Sequence, residues 1–538
     1  MKSGPIFISQ FCHLVKAMPR TTRAIALTIV FLGLLTAHHI FHCKPNWISI
    51  FSLSGLIVTL SCAAGSILGP PAIKRLVVLR ASMRIIFTSW LFIFPGVLFV
   101  QQYLKFRAYT SEIWDLGIIS HAFSSTLRGY FFQNIFVSSG MPGSAFSQHT
   151  ELIFIALYPL FALFPHPLTL VAAQAIALTA GVFFFYRLAK TVTGSGELAM
   201  ALALCFSIFP ALYYCGILDV HGDVFAIPFL ILMIQANVDK KPRLSIFFLI
   251  AALCCKEYGA LTGFAWGIYC LFALKQRGYA AVVCAICATW FTGCIVTQEM
   301  LRSGVEPSLF SVFYMPQTHE GPRGFFQWLL HMTHQAARPE NAHNLLFLFV
   351  PTLFFCFRYP WIFIFLIPAL LKDMPIGLSI ESHRLAPVLP FIWYCLLRGV
   401  FTNSNTRKNR ASPITALSTA AILSSFLFSE APWSQRFFRN WTVRYAHSAR
   451  ASALEAILAK IPAETPLSAS AALFPHVINR RYLYAFPVLG KNPGARYAVL
   501  EKATISPGER RSVDSLIAEK KWSVLAENDY GVALGLNN

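Results

Sequence analysis

A succession of about thirteen apolar runs between Ala24 and residue 429 constrains the fold of this chain more than any other feature. Runs of this length and spacing fit the ~30 Å hydrocarbon layer of a bilayer, where the backbone must satisfy its own hydrogen bonds and therefore coils into helices. Spans are expected at 24–40, 48–67, 85–101, 168–187, 197–214, 223–238, 244–255, 258–274, 279–297, 343–357, 359–371, 385–401 and 413–429, several of them short and marked by proline. A shorter apolar segment, 152–164, is closed by Pro165-His166-Pro167 and reads as an interfacial or re-entrant helix. The overall balance agrees: of 538 residues, 56% are hydrophobic and 12% charged. Mean hydropathy is +0.58, too apolar for one or two soluble globules.

A net charge of +21 would suggest nucleic acid in a soluble protein. Here the bases sit in short loops between spans, at Lys74, Arg75, Arg80 and Arg84, at Arg187 and Lys190, at Lys240, Lys241 and Arg243, and at Arg407, Lys408 and Arg410. The positive-inside rule accounts for them and excludes a nucleic-acid partner. It gives an integral protein of the cytoplasmic (inner) membrane, with the N-terminus inside as an uncleaved anchor and the C-terminus outside. The 13 cysteines lie almost all within apolar runs, and the Cys284/Cys287 pair has no second pair, so they are expected as small buried hydrophobes.

Three regions follow. Residues 1–84 hold two N-terminal spans and a basic inside loop; residues 85–429 form the main transmembrane domain; residues 430–538 lose the apolar runs and alternate helix-like with strand-like stretches, as in a small α/β domain outside the membrane. The main domain carries one long polar outer loop, 102–151. Acids, histidines and aromatics in such a loop point to chemistry rather than simple connection.

Polar residues gather where the topology predicts the outer face. They are Glu112 and Asp115, then His149 and Glu151, then Asp219, His221 and Asp223, then Lys256-Glu257, then His383-Arg384. Ionisable groups beside a bilayer are costly unless paired or used, so five groups on one side predict a shared cavity. Each also has a plainer reading. Asp115 is a good N-cap for a helix starting at Leu116; Lys256 and Glu257 form an internal ion pair at a helix break; His476 and Arg480, i,i+4 in the outer domain, are structural. The alternating positions 219, 221 and 223 point one way on an extended loop, which makes them, with His149 and Glu151, candidate ligands for a divalent metal. His38 and His42, an i,i+4 pair without a carboxylate, are expected at the membrane interface.

Trp114-Asp115-Leu116-Gly117-Ile118, Gln148-His149-Thr150-Glu151 with Tyr158-Pro159, Leu218-Asp219-Val220-His221, Lys256-Glu257, and Phe474-Pro475-His476 with Arg480 and Tyr484-Ala485-Phe486-Pro487 fall in an ordered set. That set resembles the domain-of-unknown-function 2079 family of predicted membrane proteins, which is similar in plan to the GT-C superfamily of membrane glycosyltransferases. The resemblance implies an all-α, GT-C-like membrane fold of about thirteen helices with the α/β domain appended. It also implies an enzyme that moves a sugar from a polyprenyl-phosphate carrier to an acceptor at the outer face, with Asp115 in the place of the catalytic base. Inverting transfer needs such a carboxylate and cations for the leaving phosphate: Asp115 with Glu112 i,i+3 from it, and Lys256, Arg384 and Arg128, with Glu257 and His383 beside them, are the candidates. A lipid or solute transporter or flippase, and a non-catalytic membrane scaffold, are the alternative classes.

Overall fold

The computed structural model describes residues 56–61, 76–111, 113–135, 141–302, 338–373, 379–402, 411–489 and 493–537, with a few positions between 327 and 335. Glu112, the His38/His42 pair and the 24–40 span lie outside these residues, and the 48–67 span lies largely outside them.

The first described long helix, α1 (Leu76–Arg107), carries Pro95 inside it and runs past the expected end of its span at 101. The reason lies in its polar residues, which face inward and are satisfied there. Gln101 Nε2 donates to the Glu430 carbonyl (2.6 Å) and to Tyr445 (2.8 Å), while its Oε1 accepts from Tyr213 (2.6 Å). Lys105 Nζ pairs with Asp219 at 3.1 Å. Residues that look like the start of a loop are thus the buried face of a helix. The helix stops where Tyr109 takes a left-handed φ of +56°.

The described part of the loop that follows holds regular structure. A single π-helical turn, Ile113–Gly117, leads into α2 (Ile118–Leu127), and Gln133–Ile135 (β1) pairs antiparallel with Pro142–Ser144 (β2). Then come α3 (Ile153–Leu163), α4 (Pro167–Thr193), α5 (Gly196–Ser207), α6 (Pro210–Ile217), α7 (Ala226–Val238), α8 (Pro242–Leu253), α9 (Gly259–Phe272) and α10 (Arg277–Leu301). Local chemistry sets these limits. His166 accepts from Leu168 N ahead of Pro167 at the start of α4, Gly194 ends it at φ +69°, and Ser195 caps α5 by accepting from Leu198 N. Pro210 divides the expected 197–214 span into two helices bent by 55°.

Four helices among the described residues are long and apolar enough to cross a membrane: Ser82–Arg107, Pro167–Thr193, Arg277–Leu301 and His383–Phe401; the bent pair would make a fifth. Several expected spans are shorter apolar helices, including α8 and α9; α3, in the segment expected to be interfacial or re-entrant, is short as well. The expected span 343–357 is not continuous: α11 (Pro339–Phe349) gives way to short 3-10 turns around Pro351, with Leu353 and Phe354 both left-handed. Next are α12 (Ile362–Asp373), α13 (Leu389–Phe401), entered through a 3-10 turn at His383–Val388, and α14 (Ala411–Phe428).

The C-terminal domain contains α15 (Ala449–Leu458), α16 (Pro507–Ala518) and five strands: β3 (Leu467–Ala469), β4 (Leu483–Ala485), β5 (Tyr497–Glu501), β6 (Trp522–Glu527) and β7 (Gly531–Leu536). The sheet order is β4-β3-β5-β7-β6, parallel through β4-β3-β5 and antiparallel through β5-β7-β6. The strand-like stretches that the sequence shows in this region are β5, β6 and β7, while β3 and β4, three residues each, carry too short a pattern to register in the sequence. The core of this domain takes in two residues from the first loop, Tyr109 and Ile113.

Candidate functional site

Segments far apart in sequence meet at one end of the helical bundle. The turn after α1, the hairpin, the start of α3, the α6–α7 connection, the α8–α9 break, the end of α12 and the entry to α13 enclose a cavity of about 540 Å³. Trp114, Asp115, His149, Glu151, His221, Asp223, Lys256, Lys372, His383 and Arg384 line it, with an apolar wall that includes Ile118, Ile119, Phe132, Phe146 and Phe154. Each of the five polar groups expected at the outer face therefore contributes at least one residue.

On one side the charges are cross-paired. Lys256 and Glu257 sit where α8 and α9 break, but each reaches to the segment before α3 instead of to the other. Glu257, buried, accepts from His149 Nδ1 at 2.7 Å and from Thr150 N at 3.0 Å. Lys256 Nζ lies 3.4 Å from Glu151 Oε1. Burial would raise the Glu257 carboxyl, yet His149 and Lys256 hold it below its ordinary value. Burial would lower the Lys256 ammonium, and Glu151, Asp223 and Glu257 outweigh it and raise it. Gly222 permits this packing: a Cβ there would stand 2.4 Å from the Cys255 carbonyl and 2.7 Å from Glu151 Oε1.

The alternating acids and histidine do not point one way. Asp219 turns back to Lys105, whose Nζ also donates to the Ile217 carbonyl at 3.0 Å. Gln174 from α4 fixes the turn, its amide donating to the carbonyls of Cys215 and Asp219 and accepting from His221 N. A 3-10 turn at Gly222–Phe225 then replaces the extended backbone that would have kept the three in register. His221 and Asp223 enter the cavity and meet His383 instead. Asp223 accepts from His383 Nδ1 at 2.9 and 3.0 Å, which leaves Nε2 as the other ring nitrogen's free position. The His383 ring stacks on His221 at 3.3 Å. One ligand atom from each of these three residues lies within 4.8 Å of the others, and His221 Nε2 is buried without a hydrogen-bond partner. That donor set, two imidazoles and a carboxylate, suits a borderline divalent ion such as zinc. His149 and Glu151, the other expected ligands, belong to the cross-paired side.

Asp115 occupies the π turn and caps no helix; the N-cap of α2 is Gly117, with no side-chain cap. Its side chain is 41% exposed, and Oδ2 is 3.5 Å from His221 Nε2, beyond good hydrogen-bonding distance. Burial pushes the Asp115 carboxyl up, but His221, His383 and Lys256 outweigh it and hold the group well below the usual carboxylate range. Arg128 is placed elsewhere, donating to the Ser124 carbonyl (3.2 Å) and Oγ (2.8 Å) at the end of α2. Lys372, which the sequence reading passed over, lines the cavity beside Arg384, donating to its carbonyl at 2.7 Å. Its signal was present: Lys372-Asp373 ends an apolar run and cannot easily lie in lipid. In the C-terminal domain, His476 stacks on Tyr109 at 3.9 Å and Arg480 donates to the Pro462 carbonyl at 2.6 Å, both structural contacts.

A family described as predicted membrane proteins (DUF2079) matches residues 109–530. Among solved structures, the crystal structure of ArnT from Cupriavidus metallidurans bound to undecaprenyl phosphate is similar, at 13% identity and a TM-score of 0.49, covering 83% of this chain and 98% of that one. No curated protein matches the chain.

Proposed function

The chain belongs to the DUF2079 family of predicted membrane proteins, whose match spans most of it, and on that premise we propose that it is a membrane glycosyltransferase. It moves a sugar from a polyprenyl-phosphate-type lipid carrier to an acceptor hydroxyl at the outer membrane face. The observation that carries this reading is the cavity itself, where a solvent-reachable carboxylate, Asp115, shares one chamber with Lys256, Lys372 and Arg384.

In the step we propose, the acceptor oxygen attacks the anomeric carbon, the bond from that carbon to the phosphate oxygen breaks, and its electron pair leaves with the lipid phosphate. Asp115 takes the acceptor's proton, a role that asks for a carboxylate kept ionised. The three cations meet the phosphate, with Arg384 suited to a bidentate grip and the lysines acting as point charges. The apolar wall keeps bulk water from competing with the acceptor. His221, Asp223 and His383 are the residues that would hold a divalent ion, which would add charge stabilisation at a phosphate or acceptor oxygen. The transporter reading asks for polar groups along a path through the membrane, whereas these gather at one end.

The test uses membrane vesicles containing the full chain, supplied with radiolabelled C55 polyprenyl-phosphate hexoses and pentoses, and follows label leaving the lipid. The wild type transfers label from at least one donor, and Asp115→Asn lowers that rate about 10³-fold with insertion unchanged. Full activity in Asp115→Asn would remove the carboxylate from the base role.

A further inference from the structure

The strip that carries Asp115 is held from both margins by the C-terminal domain. On its near side, Tyr109 is 6% exposed, keeps a left-handed backbone uncommon for a residue with a side chain, and stacks against His476. Ile113, two residues before Asp115, is 2% exposed within the same domain's core. On its far side, His121 Nε2 meets the Arg480 carbonyl at 2.9 Å and Ser124 Oγ donates to Asn479 at 3.2 Å. Trp114 and Asp115, between these anchors, turn to the cavity.

Arg450, in the first turn of α15, joins the two domains at the point where α1 ends. It donates to the carbonyls of Ala108 (3.0 Å) and Tyr109 (3.2 Å) and grips Glu501 of β5 through Nε (2.5 Å) and Nη2 (2.9 Å). Glu501 is itself 2% exposed, and its backbone N–H donates to Ser470 Oγ. A guanidinium that bridges a buried carboxylate and two consecutive carbonyls fixes both separation and angle, which a lysine with one point charge does not. A left-handed residue persists only where its surroundings over-determine it, and Arg450 with the His476 stack supplies that constraint at Tyr109.

We propose that the C-terminal domain is a working part of the transfer site, with Arg450 the positioning residue that sets where the Asp115 carboxylate stands. The inference rests on the glycosyltransferase reading for its consequence, though not for its geometry. Arg450 touches no cavity residue that would bind the donor, so its loss acts on the geometry of proton transfer alone. A shift of about 1 Å in a reacting group costs on the order of 10²-fold in rate.

The experiment compares wild type, Arg450→Ala, Arg450→Lys and His476→Ala in the full chain, by the vesicle assay and by amide hydrogen exchange over residues 108–127. Arg450→Ala is expected to lower kcat about 30- to 100-fold with donor KM within twofold, and to speed exchange in that segment at least tenfold while α4 and α10 are unchanged. Arg450→Lys should recover only part of the rate, and His476→Ala should show the same pattern at a smaller size. If Arg450→Ala does not fold, the lysine and His476 variants carry the same test. Unchanged kcat in a protein where Asp115→Asn is inactive overturns the inference and leaves the glycosyltransferase reading standing. If Asp115→Asn is active, Asp115 is not the base and the kinetic consequence of the positioning claim falls with it. If no protein, wild type included, moves label, it is the glycosyltransferase reading that falls. In either case exchange that does not change in Arg450→Ala overturns the positioning claim, and faster exchange upholds its geometry.

Discussion

Two sides of one cavity treat charge differently. Around the α8–α9 break every group has a partner close by: Glu257 has His149 and Thr150 N, and Lys256 has Glu151. Across from it, Asp115 is half-exposed and 3.5 Å from the His221 ring, whose Nε2 has no hydrogen-bond partner. Paired groups of the first kind hold segments in place. Groups of the second kind have capacity left for substrate, proton or ion. The contrast separates scaffold from chemistry within a set of residues that look alike in the sequence, with Lys256 alone serving both, paired with Glu151 and facing the cavity.

The sharpest way to break the contrast is to exchange its consequences. Asp115→Asn should cost about 4 kcal/mol of transition-state stabilisation, the 10³-fold already stated, and leave the thermal midpoint within a degree or two. Glu257→Ala should do the reverse. Removing one member of a buried pair leaves Lys256 with one fewer countercharge and Thr150 N without its acceptor, a loss of about 3 kcal/mol of stability. The measurement is thermal unfolding in detergent, followed by specific activity on the fraction still folded, which should stay within about threefold of wild type. A folded Glu257→Ala protein as inactive as Asp115→Asn would place Glu257 in the chemistry.

Gly222→Ala is next in size. The added methyl meets the Cys255 carbonyl, which as backbone cannot swing away, as well as Glu151. A loss of about 2 kcal/mol is expected, with weakened closure between the α6–α7 connection and the α8–α9 break. An alanine variant with wild-type stability would show that the two segments are free to separate. Acid titration probes the same side more gently. Because the Glu257 carboxyl in the folded protein lies below its unfolded value, its contribution is complete above the ordinary glutamate value of about 4.3 and is lost only as pH falls through the folded value. The difference in midpoint between wild type and Glu257→Gln should therefore be constant from pH 7 to 5 and shrink below about pH 4. A difference that shrinks between pH 7 and 5 would contradict the depressed value.

Much of this was legible in the sequence, and the failures have causes. The first loop, a C-terminal region of mixed helix and strand and the meeting of five polar groups follow from hydropathy and charge asymmetry, which sort residues to sides without fixing contacts. Register inside a connection does not follow. Asp219, His221 and Asp223 would share a face on a strand, and it took Gln174, far away on α4, to bend the backbone and send Asp219 to Lys105. Gln102 and Lys105 read as loop because hydropathy scores polarity and not satisfaction, and their partners come from Gly216, Ile217 and Asp219. Among the described residues, two apolar runs that composition joins are divided by proline and left-handed residues, 197–214 at Pro210 and 343–357 around Pro351, Leu353 and Phe354.

The smallest effect separates two arginines that chemistry alone would rank together. Arg384 lines the cavity next to Lys372, and Arg384→Gln should raise donor KM about tenfold with kcat less affected, since a charged hydrogen-bonding partner of the phosphate is lost. Arg128 turns onto its own helix, where its guanidinium donates to the Ser124 carbonyl and hydroxyl at the C-terminal end of α2. A cation there favours the helix end by about 0.3–1 kcal/mol and reaches no cavity residue. Arg128→Gln should thus leave donor KM and kcat within twofold of wild type in the vesicle assay while slightly speeding amide exchange in the last turn of α2. A KM rise in Arg128→Gln equal to that in Arg384→Gln would mean that the first loop rearranges around the donor and brings Arg128 to the phosphate. The paired and open sides of the cavity would then be distinct only before substrate binds.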